Sequence, residues 1–501
     1  MTAKCGMGNQ PMPRKTVVCC RLMPTPLLPR RRFLQSLAAS ATALTLGPRA
    51  FSQQANARPN VLFIAIDDLN DWVGCLGGHP DARTPHLDAL AARGVNFTNA
   101  HCPAPLCNAS RASLMTGVRP STSGVYENPQ PWRQSPALKD AVTIPQHFMA
   151  HGYSAMGSGK IYHGAFPDPA SWNEYVPSQQ KNVFGNPNPP GRPINGIPNA
   201  AHFDWGPVDV DDAEMGDTKT VQWVASQLAK KHERPFFLAC GLTRPHLPWY
   251  VPRKYFDRFP LDKIRLPEVK EDDLKDVPQV GRQIARPQGD HAKVIRHDQW
   301  RKAVQGYLAA VAFCDDRIGQ LMTAFDASPH KDDTIIALWS DHGWHLGEKL
   351  HWRKFSLWEE STRNLLFMVA PGVMKAGSVC DAPVNLIDIY PTLIDLCALK
   401  PLPKQIESTS ILPLLKDPTA PWDRPSLCTF RKGNHSLRGR RYRYTRYHDG
   451  TEELYDHQSD PNEWTNLADR AEHEGLKKEL ARHFPTVNAE AIPSRRGGAE
   501  E

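Results

Sequence analysis

The chain has 501 residues, with 60 Lys and Arg against 53 Asp and Glu, a formal charge of +7. Nine of those bases and none of the acids fall in residues 1–58, so the rest carries −2, which argues against a basic nucleic-acid surface. The 11 cysteines are scattered without a CxxC pair, which argues against a disulfide framework or a cysteine-paired zinc site.

Arg30-Arg31-Arg32-Phe33-Leu34-Gln35 opens a modest apolar run, Ser36 to Leu46, and small residues lead on to Ala55-Asn56-Ala57. This pattern predicts a twin-arginine export signal over residues 1–58, with Met23 an alternative start, and hence a bacterial periplasmic or secreted protein. A basic disordered tail is the alternative reading. The run is too short for a transmembrane helix, so no stable membrane insertion is expected. What remains suffices for one large domain and a smaller one.

Five continuous apolar runs read as buried parallel strands: Val61–Ile66, Tyr153–Gly157, Phe236–Leu242, Thr334–Trp339 and Leu365–Ala370. Helical patterns lie between them at Thr84–Arg93, Thr143–His151, Asp217–Lys231, Trp300–Phe325 and Ile387–Cys397. The alternation predicts an α/β fold, a mostly parallel sheet flanked by helices, over residues 59–418. Residues 164–207 and 261–300 break the pattern and read as long surface insertions at a pocket rim. Residues 419–501 read as a smaller α+β subdomain: an antiparallel sheet from Ser436–Tyr444 and Glu452–Tyr455, a helix near Glu472–His483 and a disordered tail.

Ligands of open α/β sheets bind where strands end. Here Val61–Ile66 runs into Asp67-Asp68, Tyr153–Gly157 leads to Lys160 and His163, Phe236–Leu242 to Arg244 and His246, and Thr334–Trp339 into Asp341-His342. Two adjacent carboxylates repel unless a cation sits between them, and thiol-poor, oxygen-rich ligation suits a hard ion such as Ca²⁺ or Mg²⁺. Helix capping explains one aspartate at each place but not the pair. A lone lysine or histidine is usually a solvated or satisfied polar residue; convergence on one rim favours a site.

The organising stretch is Cys107-Asn108-Ala109-Ser110-Arg111, followed by Thr116-Gly117. The residues after Cys107 suit a helix, which puts the cysteine near a positive helix start and Arg111 one turn on, aimed at the same anion. The plain alternative is a buried free cysteine at a loop–helix junction.

This segment resembles the signature of the type I sulfatases, Cys-x-(Pro/Ala)-x-Arg with a following Thr-Gly; Ala109 stands where proline is commoner. Gly159-Lys160-Ile161-Tyr162-His163, Thr243-Arg244-Pro245-His246, Asp341-His342-Gly343-Trp344 and His351-Trp352-Arg353-Lys354 resemble further family segments, nearest to its iduronate-2-sulfatase-like members. The resemblance implies an alkaline phosphatase-like fold and hydrolysis of an O-sulfate monoester, here on a saccharide. It implies one Ca²⁺ held by Asp67, Asp68, Cys107, Asp341 and His342. It also implies conversion of Cys107 to formylglycine by a maturation enzyme, which leaves seven cysteines outside the leader. A hydrated aldehyde has two hydroxyls, one to attack sulfur and one to expel sulfate afterwards; a serine ester lacks that exit. Cys107, Arg111, Lys160, His163, His246 and Lys354 are the catalytic residues implied, with the cations neutralising sulfate, His246 protonating the leaving alcohol and His163 acting as base. Two alternatives stay open: a phosphonate or phosphodiester hydrolase of the same superfamily, and an inactive saccharide-binding protein whose Cys107 stays a thiol.

Overall fold

The computed structural model describes residues 58–181, 183–200 and 202–495. The expected export signal lies outside them. Nine elements build the catalytic body and its entrance: β1 Asn60–Ile66, β2 Val95–Phe97, α1 Cys107–Thr116, α2 Ile144–Ala150, β3 Ser154–Gly159, β4 Glu174–Val176, α3 Gly216–Leu228, β5 Phe236–Leu242 and α4 Trp300–Asp326. β6 Thr334–Ser340, β7 Leu366–Val369, β8 Ser378–Cys380 and α5 Ile389–Leu396 complete it. The strands form one eight-stranded sheet in the order β8-β2-β7-β6-β1-β5-β3-β4.

β1 lies at the centre, parallel to β5 and β6 in registers that pair Ile66 with Leu242 and with Ser340. All seven residues of each of these three strands are buried, because helices cover both faces. Burying each Val, Leu, Ile or Phe side chain there contributes roughly 1.5–3 kcal/mol. On one face α4 packs Tyr307, Leu308, Val311 and Phe313 into the cluster around Leu62, Ile64 and Leu238. On the other, α1 packs Ala109, Ala112 and Met115 against Phe63 and Trp339. α2 starts at a capping box between Thr143 and Gln146, and α1 stops where Gly117 turns left-handed at φ 75°.

Several details depart from the sequence reading. β7 is antiparallel to both β6 and β2, not parallel. Between Ser340 and Leu366 the chain makes only short elements, the longest helix being Glu359–Thr362, and so lacks the long crossover a parallel return needs. The insertion at 164–207 supplies β4 to the sheet edge, and its Trp205–Val208 pairs with Trp249–Pro252. The insertion at 261–300 folds two short helices, Gln279–Ala285 and Asp290–Arg296.

The C-terminal sheet has four antiparallel strands, β9 Ser426–Thr429, β10 His435–Arg438, β11 Tyr442–Arg446 and β12 Glu452–Asp456. A turn closed by Gly439 N–H to the Tyr442 carbonyl divides Ser436–Tyr444 between β10 and β11, and β9 is a strand the sequence reading did not include. α6, Glu474–Ala481, follows it. The chain after α6 is not loose as far as Arg495: Ala489 N–H bonds the Ser121 carbonyl at 2.8 Å, Ile492 N–H that of Gly124 at 3.0 Å, and Ile492 is buried. Among the described residues no helix is long and apolar enough to cross a membrane.

Candidate active site

The carboxyl ends of β1, β3, β5 and β6 and the first turn of α1 meet at one buried cluster. Asp67 and Asp68 follow β1, and Asp68 takes a left-handed conformation at φ 57°, uncommon for a residue with a side chain. Tyr307 of α4 holds that turn, donating its hydroxyl to the Asp68 carbonyl at 2.8 Å and accepting from Asn70 N–H at 2.9 Å. Asp341 follows β6; its Oδ1 accepts from Asp68 N–H at 3.1 Å. Ser110 on α1 donates to the Asp341 carbonyl at 2.6 Å, which fixes the helix start against the strand end.

Cys107 opens α1, and its Sγ lies 3.4 Å from His342 Nε2, 2.9 Å from Lys354 Nζ and 3.8 Å from Asp68 Oδ1. Burial pushes its thiol well above its usual pKa, partly opposed by Lys354 and Lys160. His342 places Nδ1 2.9 Å from the Gly343 carbonyl, which only accepts, so Nδ1 carries the proton and Nε2 turns its lone pair to the cluster. Burial lowers its pKa, which keeps the ring neutral.

The basic residues divide into two roles. Lys160 reaches Asp67 Oδ2 at 2.5 Å, and Lys354 bridges Asp68 Oδ1, at 2.9 Å, and the cysteine sulfur. Lys160 is set by an unusually close strand contact: a Cβ on Gly159 would stand 1.9 Å from the Gly241 carbonyl oxygen. Arg111 departs from the expected aim at a substrate anion. Its guanidinium is fully buried and spent on Asp341 Oδ2 at 2.8 Å, Asp67 Oδ1 at 2.9 Å and the carbonyls of Lys160 and Ile161. Spacing placed it one turn from Cys107, but the sheet-facing side of α1 turns it beneath the carboxylates. Burial would raise both aspartates, yet Lys160 and Arg111 hold Asp67 well below the usual carboxylate range, and His246 and Lys354 lower Asp68.

His246 faces the cluster from the loop after β5, with Nε2 3.8 Å from Asp68 Oδ2 and Nδ1 2.5 Å from the Leu247 carbonyl. Arg244 braces that loop by donating to the His246 carbonyl at 2.8 Å, while Asp217 on α3 accepts from the Thr243 and Arg244 amides. His163 is buried three residues beyond Lys160 against Phe166, outside the groups of metal-capable atoms.

The donor set fits a divalent cation. Ligand atoms of Asp68, Cys107, Asp341 and His342 lie within 4.8 Å of one another, as do those of Asp67, Asp68, Cys107 and His246. Asp68 Oδ2 is buried without a hydrogen-bond partner, a cost that an ion bound there removes. Sequence reasoning did not find Tyr307, Ser110 or Asn128, whose Oδ1 accepts from Asn108 N–H at 3.0 Å. The one available signal was a tyrosine hydroxyl within the apolar stretch Gly306–Cys314 of α4, which must find a partner when buried.

The profile of the sulfatase family matches residues 59–398. The chain belongs to the sulfatase family. A second profile, the C-terminal region of N-sulphoglucosamine sulphohydrolase, matches residues 347–490. This sulfatase is 40% identical to a sulfatase of Formosa agariphila over 86% of its own length and 87% of the relative's. It is 31% identical to human iduronate 2-sulfatase, over 76% of each chain. Its fold matches, with a TM-score of 0.67 and 21% identity, a solved complex of a protein with its substrate D-glucosamine-2-N,6-O-disulfate, covering 85% of this chain and 96% of that one. The chain is a sulfuric ester hydrolase with an alkaline phosphatase-like α/β fold.

Proposed function

We propose that this sulfatase is exported by the twin-arginine route and removes an O-sulfate monoester from a saccharide by S–O cleavage, after Cys107 has been converted to formylglycine by a maturation enzyme. The observation that carries this reading is the meeting of Cys107, Asp68, Asp341 and His342 within 4.8 Å, with Lys354 Nζ 2.9 Å from the sulfur. The saccharide is supported by the names of the relatives, iduronate 2-sulfatase among them, and by the sugar disulfate in the matching fold.

Asp67, Asp68, residue 107, Asp341 and His342 would hold one Ca²⁺, the hard ion that this carboxylate-rich set suits. When bound, it supplies charge to the sulfate oxygens as a Lewis acid. Lys160 and Lys354 add positive charge where the sulfate group and the oxygen at residue 107 meet, in a buried site where such charge acts strongly. Arg111 helps keep Asp67 ionised and, by its two ion pairs, fixes the positions of Asp67 and Asp341. His246 holds one proton on Nδ1 against the Leu247 carbonyl, so Nε2 gives its proton to the departing alcohol oxygen. His163 takes the proton released when residue 107 is restored.

The test pairs mass with turnover. The tryptic peptide holding Cys107 is expected to weigh roughly 18 Da less than encoded, the difference between CH₂SH and CHO side chains, in active protein only. A sulfate ester should be hydrolysed faster than the matched phosphonate or phosphodiester. Full activity with an unmodified cysteine overturns the mechanism; preference for the phosphorus ester overturns the substrate class.

A further inference from the structure

Among four cavities lined by described residues, one differs in charge from the other three, of which the pocket at Arg133 and Asp168 is balanced, with two bases and two acids. A groove of about 1260 Å³ between the loop at Asp71 and the C-terminal sheet has six arginines facing six carboxylates. A pocket of about 390 Å³ at Asp209–Asp212 holds more acids than bases. The cavity of about 280 Å³ between the Gln279–Arg296 segment and the Lys354 loop is lined by Arg286, Lys293, Arg353 and Arg431, with Asp290 its one carboxylate.

Asp290 is already engaged, with Arg353 Nε at 2.7 Å and Lys293 Nζ at 3.6 Å. Arg431 approaches Glu127, which is not among the lining residues, at 3.5 Å. Arg286 has no carboxylate within ion-pair reach among the described residues. One carboxylate is thus shared by Lys293 and Arg353 while Arg286 has none, which leaves the lining with a cationic excess. Phe355 and Phe430 give it an apolar wall of the kind that packs on a sugar ring.

Its place joins it to the reaction centre. Arg353 and Phe355 line the cavity, and the residue between them is Lys354, whose ammonium touches the Cys107 sulfur. Both flanking residues are left-handed, at φ 73° and 77°, so the backbone is held in a costly conformation on either side of the lysine. His351 ties the two walls, with Nδ1 2.8 Å from the Ala285 carbonyl and Nε2 2.7 Å from that of Lys354. Phe355 N–H bonds the carbonyl of Pro105, two residues before Cys107.

We propose that this cavity is a subsite for a second acidic group, a carboxylate or a further sulfate, on the saccharide unit adjoining the one that loses its sulfate. The inference rests on the saccharide sulfatase reading above and narrows it to polyanionic saccharides. A guanidinium pair with an anion is charge-assisted and directional, and Arg286 and Arg353 supply such donors beside the aromatic wall.

The experiment compares two substrates: a monosaccharide with a single sulfate, and a disaccharide with the same sulfated unit joined to a uronic acid. Each is assayed with the wild-type protein and with an Arg286→Ala/Lys293→Ala double variant, neither residue being part of the catalytic cluster. The wild type is expected to favour the disaccharide by about tenfold or more in kcat/KM, the size of one charge-assisted contact, through KM and less so at high salt. The double variant should lose that preference and keep its rate on the monosaccharide within about twofold. A preference unchanged in the variant, or an equal loss on both substrates, overturns the subsite. A wild type that cleaves neither sugar, while hydrolysing an aryl sulfate, overturns the saccharide reading instead and the subsite with it.

Discussion

Two buried clusters in this molecule are built on the same unit, an arginine forked between two carboxylates. In the first, Arg111 reaches Asp341 with Nε and Asp67 with its terminal nitrogen. In the second, Arg443 on β11 reaches Glu463 with Nε at 2.5 Å and Glu359 with its terminal nitrogen. The second cluster is closed: His457 adds to Glu463 at 2.9 Å, Arg438 to Glu359 at 3.1 Å, and no fully buried side-chain atom of Glu359, Glu463 or Arg443 lacks a partner. The first leaves Asp68 Oδ2 without one and gathers a thiol, a neutral imidazole and two lysines around the aspartate pair. Glu359, His457 and Glu463 also lie close enough to hold a metal, but Arg443 already occupies the space between the two carboxylates. The difference separates a site from a brace: donors spent on one another stabilise, and a donor left over marks where a ligand goes.

The largest expected effect comes from removing the leftover donor. Asp68→Asn keeps the shape but takes away a charge, and turnover on every sulfate ester is expected to fall by about 10³-fold or more, with loss of bound metal. The thermal midpoint should stay near that of the wild type, since Asp67 and Asp68 repel one another in the parent. A variant that keeps its metal content and its rate would make the first cluster a brace like the second.

The second cluster should answer through stability. Burial would raise the Glu463 pKa, but Arg443 and His457 bring it from 4.5 to about 2. The folded protein therefore holds this group ionised where the unfolded chain has taken up a proton. Its contribution is complete above pH 4.5 and drains away as pH falls toward 2, a loss of roughly 3 kcal/mol at about 1.4 kcal/mol per pH unit. Glu463→Gln leaves Arg443 short of a partner and is expected to cost about 3–5 kcal/mol near neutrality while flattening that acid limb. Urea unfolding from pH 6 to 3 measures both, and the rate per folded molecule should stay unchanged. A fall in that rate at full folding would tie Glu463 to catalysis.

The two clusters were not equally legible. Asp67-Asp68, Lys160, His246 and Asp341-His342 could be read because each follows a continuous apolar strand, and the ends of neighbouring parallel strands share a rim. What Arg111 does could not, since spacing sets its distance from Cys107 but not whether it faces solvent or the sheet. The brace was invisible: Glu359, Glu463 and Arg443 lie far apart in sequence, and a charge without a motif reads as surface. The direction of β7 was hidden because a doubly buried strand has the same apolar run either way round. Residues 487–495 read as loose because they show no helical or strand period, whereas their order comes from backbone bonds to Ser121, Gly124 and Pro129, which composition does not record.

His246 is the most delicate case, since it borders the first cluster and Arg244 braces its loop. Its Nδ1 is 2.5 Å from the Leu247 carbonyl, which can only accept, so that nitrogen keeps its proton and Nε2 is the one that exchanges. A sugar alkoxide is a poor leaving group and needs a proton as its S–O bond breaks; a nitrophenolate departs without one. His246→Ala is therefore expected to slow a sugar sulfate by about 10²-fold and a nitrophenyl sulfate by less than about tenfold. His246→Gln, which restores a polar side chain of similar reach but transfers no proton, should behave as the alanine variant does. Equal losses on both substrates, or rescue by glutamine, would give His246 the duty of holding Asp68, 3.8 Å away, and pass the proton to another group, with His163 the next to change.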